Sequence, residues 1–298
     1  MSATRYVLIT GANKGIGRAS VAAILGYADD THVFLGSRDR GRGEAAKASL
    51  VDRQPGWADR VTVVELDVGS DESVSSAALV VGAALGDARL YGLVNNAGIG
   101  QSDDLARVLN VNTRGPKRMV DAFVPLLAAD GRIVNVSSAS GPNFVSRCSA
   151  RRQQQMTRAD VSWDDVAGLM DECIAIANSG GDFASAGLSD GNAYGLSKAC
   201  LNTYTIALGR SLAGRTVNAC TPGFIETDMT RPYATSQGIS PADMGMKQPT
   251  HGTRSTTHLL FGELSASGWY FGSDAQRSPL DRYRSPGDPP YSPSDEAH

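Results

Sequence analysis

Tyr194 and Lys198 stand four positions apart in Ala193 to Leu212, a stretch whose apolar spacing predicts a helix. Residues at that spacing lie one turn apart on a single helix face, so the phenol and the ammonium point the same way. A free tyrosine has a pKa near ~10, too high for acid–base work at neutral pH. A nearby cation favours the phenolate and brings that value toward the working range. Such a pair can pass a proton to or from an oxygen atom of a bound molecule. Alone, it describes an ordinary solvent-facing helix equally well. Ser137 and Ser138 follow a predicted strand, Arg132 to Val136, at the edge where open α/β sheets bind ligands. Either hydroxyl there could stabilise a developing alkoxide. Asn112 precedes Pro116 by four residues. Proline has no N–H, so the Asn112 carbonyl loses its helical partner; it is open to a water, or the helix simply kinks there. The four histidines, at 32, 251, 258 and 298, are not placed to activate Ser138, which disfavours a Ser-His-Asp hydrolase.

These side chains need a scaffold, and the chain spells one out. Buried-strand runs at Tyr6 to Ile9, His32 to Leu35, Val61 to Leu66, Leu90 to Val94 and Arg132 to Val136 alternate with helix-period stretches. The helices are expected at Gly15 to Gly26, Gly43 to Asp52, Glu72 to Leu85 and Asp104 to Ala128. Strands separated by helices imply right-handed crossovers and a parallel sheet covered on both faces. A polar stretch then interrupts the alternation at 142–192, with a helix expected at Ser162 to Ala177 and Ser162 as its N-cap. The pattern resumes with the helix at Ala193 and a strand at Thr216 to Cys220. A helix near Thr253 to Leu264 and a short strand at Gly268 to Phe271 follow. The expected fold is α/β: one doubly wound, Rossmann-type domain over residues 1–273, with about seven mostly parallel strands and a helical insertion before Tyr194. Prolines 279, 286, 289, 290 and 293 argue that 274–298 is a tail, extended over the surface or disordered.

Between the first strand and helix lies Thr10-Gly11-Ala12-Asn13-Lys14-Gly15-Ile16-Gly17. Glycines at such a junction let the backbone turn sharply and approach a pyrophosphate held at the helix N-terminus. About 20 residues on, where an acidic residue would bind the 2′-hydroxyl of NAD, the chain has Ser37 and Arg38. Two cations, Arg38 and Lys14, and no carboxylate suit a 2′-phosphate, hence NADPH/NADP+; the alternative is a pair of solvated surface charges. Asp67, after the third strand, could accept from an adenine amine or cap the next helix.

Composition narrows the partners. Of 298 residues, 28 are Lys or Arg and 31 Asp or Glu, a net charge of -3. No basic excess points to nucleic acid or an anionic membrane, and no apolar run approaches the ~20 residues of a spanning helix. With no secretory signal and four cysteines (148, 173, 200, 220) lacking metal or disulfide spacing, a cytoplasmic chain with reduced thiols and no bound metal is expected. Cys220 reads as a buried strand residue. Neither covering loop, 142–192 or 225–250, shows a charged pair suited to an acid. A neutral or hydrophobic small molecule is therefore expected rather than an acid. In the insertion, Val161, Val166, Leu169, Met170 and Ile174 form an apolar stripe that must bury itself, on a partner or on its own domain.

Taken together, Thr10-Gly11-x3-Gly15-x-Gly17, Asn95-Asn96-Ala97-Gly98, Asn112, Ser137-Ser138, Tyr194-x3-Lys198 and Pro222-Gly223-x3-Thr227 resemble the short-chain dehydrogenase/reductase family, in its order and over residues 5 to about 230. Within it, Gly11 to Gly17, Arg38-Asp39, Gly168-Leu169-Met170 and Thr227-Asp228-Met229 are most similar to the monomeric NADPH-dependent carbonyl reductases. Plant monoterpene-ketone and alkaloid-ketone reductases with the same long insertion are also similar. The resemblance implies Asn112, Ser138, Tyr194 and Lys198 as catalytic residues, and it selects Ser138 over Ser137. Tyr194 would protonate a carbonyl oxygen, and Lys198 would also bind the nicotinamide ribose. The Asn112 carbonyl would hold a water on the proton path to Lys198. The cofactor would be held by Gly11, Asn13, Lys14, Gly15, Ile16, Gly17, Arg38, Asp67, Val68, Asn95, Ala97, Gly98, Tyr194, Lys198, Pro222, Gly223 and Thr227. Asn96 would be structural. The implied activity is NADPH-dependent reduction of an aldehyde or ketone by a monomer. The alternatives are an alcohol dehydrogenase working in the oxidising direction and a catalytically silent NADPH-binding sensor or scaffold.

Overall fold

The computed structural model describes residues 4–100, 102–264, 266–289 and 291–292. Strands β1 (Arg5–Ile9), β2 (Thr31–Ser37), β3 (Val61–Glu65), β4 (Leu90–Asn95), β5 (Leu127–Val136), β6 (Thr216–Cys220), β7 (Tyr270–Phe271) and β8 (Arg277–Ser278) form one sheet in the order β3-β2-β1-β4-β5-β6-β7-β8. All pairings are parallel except β7 with β8. The order reverses between β1 and β4. In a doubly wound sheet that reversal opens a crevice at the carboxyl ends of the strands, and ligands bind there.

The helices are α1 (Gly15–Tyr27), α2 (Arg40–Arg53), α3 (Asp71–Leu85), α4 (Leu105–Leu109), α5 (Gly115–Phe123), α6 (Ser140–Val145), α7 (Ala150–Thr157), α8 (Trp163–Asn178), α9 (Ala193–Ser211), α10 (Arg231–Gln237) and α11 (Arg254–Phe261). Successive strand residues point to opposite faces, so each strand feeds two cores. Val7, Ile9, Val33 and Leu35 pack with Val21, Ile24 and Leu50 of α1 and α2 and Leu259 of α11. Leu8, Phe34 and Leu93 pack with Val81, Phe123 and Leu196 of α3, α5 and α9. Almost all of α9 is buried, from Gly195 through Thr205. The helix carrying Tyr194 and Lys198 is therefore a core element.

Four expectations need correction. The single helix from Asp104 to Ala128 is instead α4, a wide π turn at Asn110–Arg114, and α5. Pro116 withholds an N–H at the π turn, and Pro125 cannot extend α5. β5 then starts early, at Leu127, with a register shift between its pairings to Leu90 and Gly92. The insertion holds three helices rather than one, because α6 and α7 are too short to show a period. The stretch after Asp274 is structured in its described part. Arg277–Ser278 closes the sheet edge, and Arg284 clasps both carboxylate oxygens of Asp274 at 3.1 and 2.8 Å. Residues 293–298 of the expected tail lie outside the described residues.

The Ser162 cap is present as a reciprocal capping box with Asp165. Behind it, Val161, Val166, Leu169 and Met170 are buried in the chain's own core together with Cys173, and Ile174 packs partly buried against it. The stripe is thus satisfied within the chain.

Candidate active site

The turn from β1 into α1 is shaped by close backbone approach. Gly11 has φ +62, and a Cβ there would lie 2.9 Å from Ala97 Cα; one on Gly17 would lie 2.3 Å from the Gly11 carbonyl oxygen. Only glycine fits. Asn13, Lys14 and Ile16 fill the turn between them. Helix α1 begins at Gly15 with no side-chain cap and no acidic residue in its first turn. A bare helix N-terminus at the end of β1 is a site for phosphate. The turn therefore has the tight backbone geometry and the polarity that suit a phosphate.

Asn96 and Thr10 brace the turn from β4. Asn96 Nδ2 donates to the carbonyls of Thr10 at 2.9 Å and Gly11 at 3.2 Å, and Thr10 Oγ1 accepts from Asn96 N and Ala97 N. Asn95 does not present its side chain to the crevice. It is buried, with Nδ2 donating to Asn135 Oδ1 at 2.8 Å, while Asn135 donates to Thr205 of α9. This ladder under the site, including Asn135 and Thr205, escapes sequence reading because its members come from three elements.

At the ends of β2 and β3 the assignments sort themselves. Arg38 is exposed beyond β2. Ser37 is buried, its hydroxyl donating to the Asp39 carbonyl at 2.7 Å. Asp67 is no helix cap: Ser70 caps α3, and Asp67 Oδ1 accepts from Gly69 N in a local turn. The Val68 side chain is in the core, against Gly115.

The catalytic candidates meet at the carboxyl ends of β4, β5 and β6. Ser137 is buried and spends its hydroxyl on the Lys198 carbonyl at 3.3 Å. Ser138, partly exposed, is hydrogen-bonded to the Tyr194 phenol and accepts from Ser140 N at 3.1 Å. Lys198 is buried, with Nζ donating to the Val136 carbonyl at 2.9 Å and lying 5.7 Å from the centre of the Tyr194 ring. A Cβ on Gly98 would stand 3.7 Å from that Nζ and 3.2 Å from Asn112 Oδ1, so a larger residue there would crowd Asn112. Asn112 sits in the π turn. Its Oδ1 accepts from Ile99 N, and its Nδ2 donates to Ile99 O and Ser197 Oγ, stapling the loop after β4 to α9.

Burial pushes the Tyr194 phenol above its ordinary value, which outweighs the lowering by Ser138; Tyr233 of α10 raises it further. The expected shift toward phenolate is absent in the chain by itself. Burial likewise brings Lys198 down to about 8, so the cation meant to lower Tyr194 is itself destabilised.

Above this floor runs a strap from the end of β6. Pro222 and Gly223 (φ +89) turn it, with Ser273 3.1 Å from where a Gly223 Cβ would be. A one-residue bridge between Ile225 and Lys247 closes its base. Thr227 packs over Gly15 and Met229 over Gly100, so the strap touches both rims of the crevice. Lys14 Nζ reaches across to Asp228 Oδ2 at 2.7 Å. The sequence reading missed α10, Tyr233 and this ion pair; the one local signal was Pro232, in the first turn of α10. Cys220, below, is fully buried with its thiol pushed up to about 12. Among the described residues no His/Cys/Asp/Glu group could hold a metal, and no helix is long and apolar enough to cross a membrane.

This arrangement defines a class. The chain matches the family model described as short chain dehydrogenase over residues 5–150. It is 32% identical over 248 residues to carbonyl reductase [NADPH] 1 of Sus scrofa, covering 78% of this chain and 82% of that one. It is 32% identical over 266 residues to (+)-neomenthol dehydrogenase of Arabidopsis thaliana, covering 76% and 84%. The chain belongs to the short-chain dehydrogenase family. Salutaridine reductase of Papaver somniferum has the same fold, with a TM-score of 0.74 at 24% identity over 89% of this chain and 99% of that one.

Proposed function

We propose that this chain reduces an aldehyde or ketone to the alcohol with NADPH, and that Tyr194 is the general acid. The observation that carries this reading is the Ser138–Tyr194 hydrogen bond beside buried Lys198, at the mouth of a crevice whose other end is the Gly11–Gly17 turn. Relatives named as NADPH carbonyl reductases support it. When bound, the dinucleotide supplies the hydride. The chain's residues do the rest. Ser138 and Tyr194 hold the carbonyl oxygen between two hydroxyls, and Tyr194 gives up its proton as the alkoxide develops. Burial holds the phenol above its ordinary range, so at neutral pH it carries the proton that it gives to the carbonyl oxygen. Lys198 sits behind Tyr194 to stabilise the phenolate that remains. The π turn and Pro116 free the Asn112 region from a regular helical ladder, so its carbonyl is available for a water on the path to Lys198. A silent sensor would have no use for this acid–base set.

Arg38 and Lys14 are the residues for the 2′-phosphate, and the Asp67 carboxylate is the acceptor for the adenine end. The rest of the turn, with Ala97 and Gly98, forms the pyrophosphate and ribose side. Pro222, Gly223 and Thr227 line the nicotinamide end. The substrate is neutral or hydrophobic: Phe224, Tyr233 and Ile239 on the strap are exposed apolar side chains, and Glu226 and Asp228 are both paired with Arg231. The chain works as a monomer, because α8 already buries the stripe that would otherwise seek a partner, and its four free cysteines suit the reducing cytoplasm. NADPH oxidation, followed with quinones, α-diketones and terpenoid ketones, tests the activity; no turnover with any of them, despite NADPH binding, would favour the sensor. Light scattering at micromolar concentration tests assembly, and a stable dimer near twice 31.2 kDa would refute the monomer.

A further inference from the structure

Lys14 is the cation of the phosphate-binding turn, yet in the folded chain its ammonium is engaged. Nζ lies 2.7 Å from Asp228 Oδ2, and Arg231 Nη1 holds the other oxygen, Oδ1, at 2.9 Å. Arg231 Nε also reaches Glu226 Oε1 at 3.0 Å, and Gln248 Nε2 donates to Glu226 Oε2 at 3.3 Å. The carboxylate on Lys14 is thus anchored to both ends of the strap. The contact links residues 214 apart and closes the strap over the crevice. Thr227 on one side of Asp228 lies against Gly15, and Met229 on the other lies against Gly100.

We propose that Asp228 is a built-in competitor for the 2′-phosphate: it occupies Lys14 in the nucleotide-free chain and must yield it when NADPH binds, which makes Asp228 a determinant of cofactor affinity and selectivity. The inference rests on the NADPH reading above. The physical reason is exchange of one anion for another. A phosphate carries more charge than a carboxylate and more acceptor oxygens, so it wins, but only after the pair is broken. Both partners are more than half exposed, so the pair is weak and easily exchanged. Arg231 keeps Asp228 close by after release, so the latch can re-form and help expel the nucleotide. Two positions on one residue then set two opposing demands: tight enough binding to select NADPH, and loose enough to turn over.

The test measures nucleotide binding by tryptophan and NADPH fluorescence, and strap opening by hydrogen exchange without nucleotide. Asp228→Asn should tighten NADPH about three- to fivefold at low salt, leave NADH within about twofold, and speed exchange in 224–248. Lys14→Gln should speed the same exchange but weaken NADPH. The opposite signs on NADPH with the same sign on the strap distinguish competition from a scaffold role, which would move both variants together. The Asp228→Asn gain should fade as salt approaches 1 M. Unchanged or weaker NADPH binding in Asp228→Asn, with normal binding by the parent, overturns the competitor and leaves the reductase reading intact. An equal gain for NADH overturns the assignment to the 2′-phosphate. A parent chain that binds no NADPH removes both readings.

Discussion

The floor of the site and the strap above it are built on different principles. In the floor, Asn112, Ser137 and Lys198 are buried, and each polar side chain is tied to a carbonyl, an N–H or a hydroxyl of a neighbouring element. Moving any of them breaks buried hydrogen bonds, at roughly 1–3 kcal/mol for each group left unpaired. In the strap, Ile225, Ala234 and Met246 are buried, but Glu226, Asp228 and Arg231 hold one another in exposed or partly exposed pairs. Such pairs are worth roughly 0–1 kcal/mol each. Proton transfer demands fixed distances, whereas cofactor and substrate must enter and leave. The molecule puts its rigidity where atoms react and its weak contacts where something must open.

The largest effect should come from the floor. Tyr194→Phe keeps the ring and removes the transferable proton, so turnover should fall by about 10²–10⁴-fold with NADPH binding nearly unchanged. Turnover close to the parent would exclude Tyr194 as the acid.

Arg38→Ala should come next, because it removes a charge-assisted contact on the fixed rim of the crevice. A loss of about 1–3 kcal/mol in NADPH binding, with NADH little affected, is expected from titration of the two nucleotides. A parent chain that binds both equally contradicts the choice of cofactor.

Lys198 sharpens the comparison through stability. Its ammonium is buried and held near pKa 8 against an ordinary 10.5, so the unfolded chain binds the proton more tightly. Stability should therefore rise as the pH climbs from about 8 to 10.5 and be lowest, for this group, below 8. Lys198→Met removes that burden and the hydrogen bond to Val136. Urea unfolding at pH 7 should show a net gain on the order of 1–2 kcal/mol, with activity lost. A destabilised variant would mean the floor depends on the ammonium for its structure.

The smallest effect belongs to the strap. Arg231→Ala breaks two exposed pairs, and global stability should change by less than about 0.5 kcal/mol while proteolysis within 224–248 accelerates. A loss of several kcal/mol would place the strap in the same cooperative unit as the floor.

Much of this molecule is local in its chemistry, and that part is legible along the chain. The glycine turn, the four-residue step from Tyr194 to Lys198, the Ser162 cap and the break at Pro116 each follow from neighbours within a few residues. Strand and helix alternation follows in the same way, because it rests on side-chain period. Choices between equivalent groups are not local. Asn95 and Asn96 are adjacent and identical in type; only the neighbouring strand, with Asn135, decides that Asn95 turns into the sheet while Asn96 braces the turn. Ser137 and Ser138 divide similarly, because α9 offers the Lys198 carbonyl to one and Tyr194 to the other. Whether Asp67 capped a helix depended on Ser70 being better placed.

By itself, then, the sequence determined which residue types stand at each strand end and that they form a doubly wound sheet, since hydrophobic period and turn chemistry act over short separations. The tertiary structure alone decided what each polar group faces. Burial depends on contacts between distant segments: it raised Tyr194, lowered Lys198, folded the apolar stripe of α8 onto its own domain, and brought Asp228 to Lys14 across 214 positions.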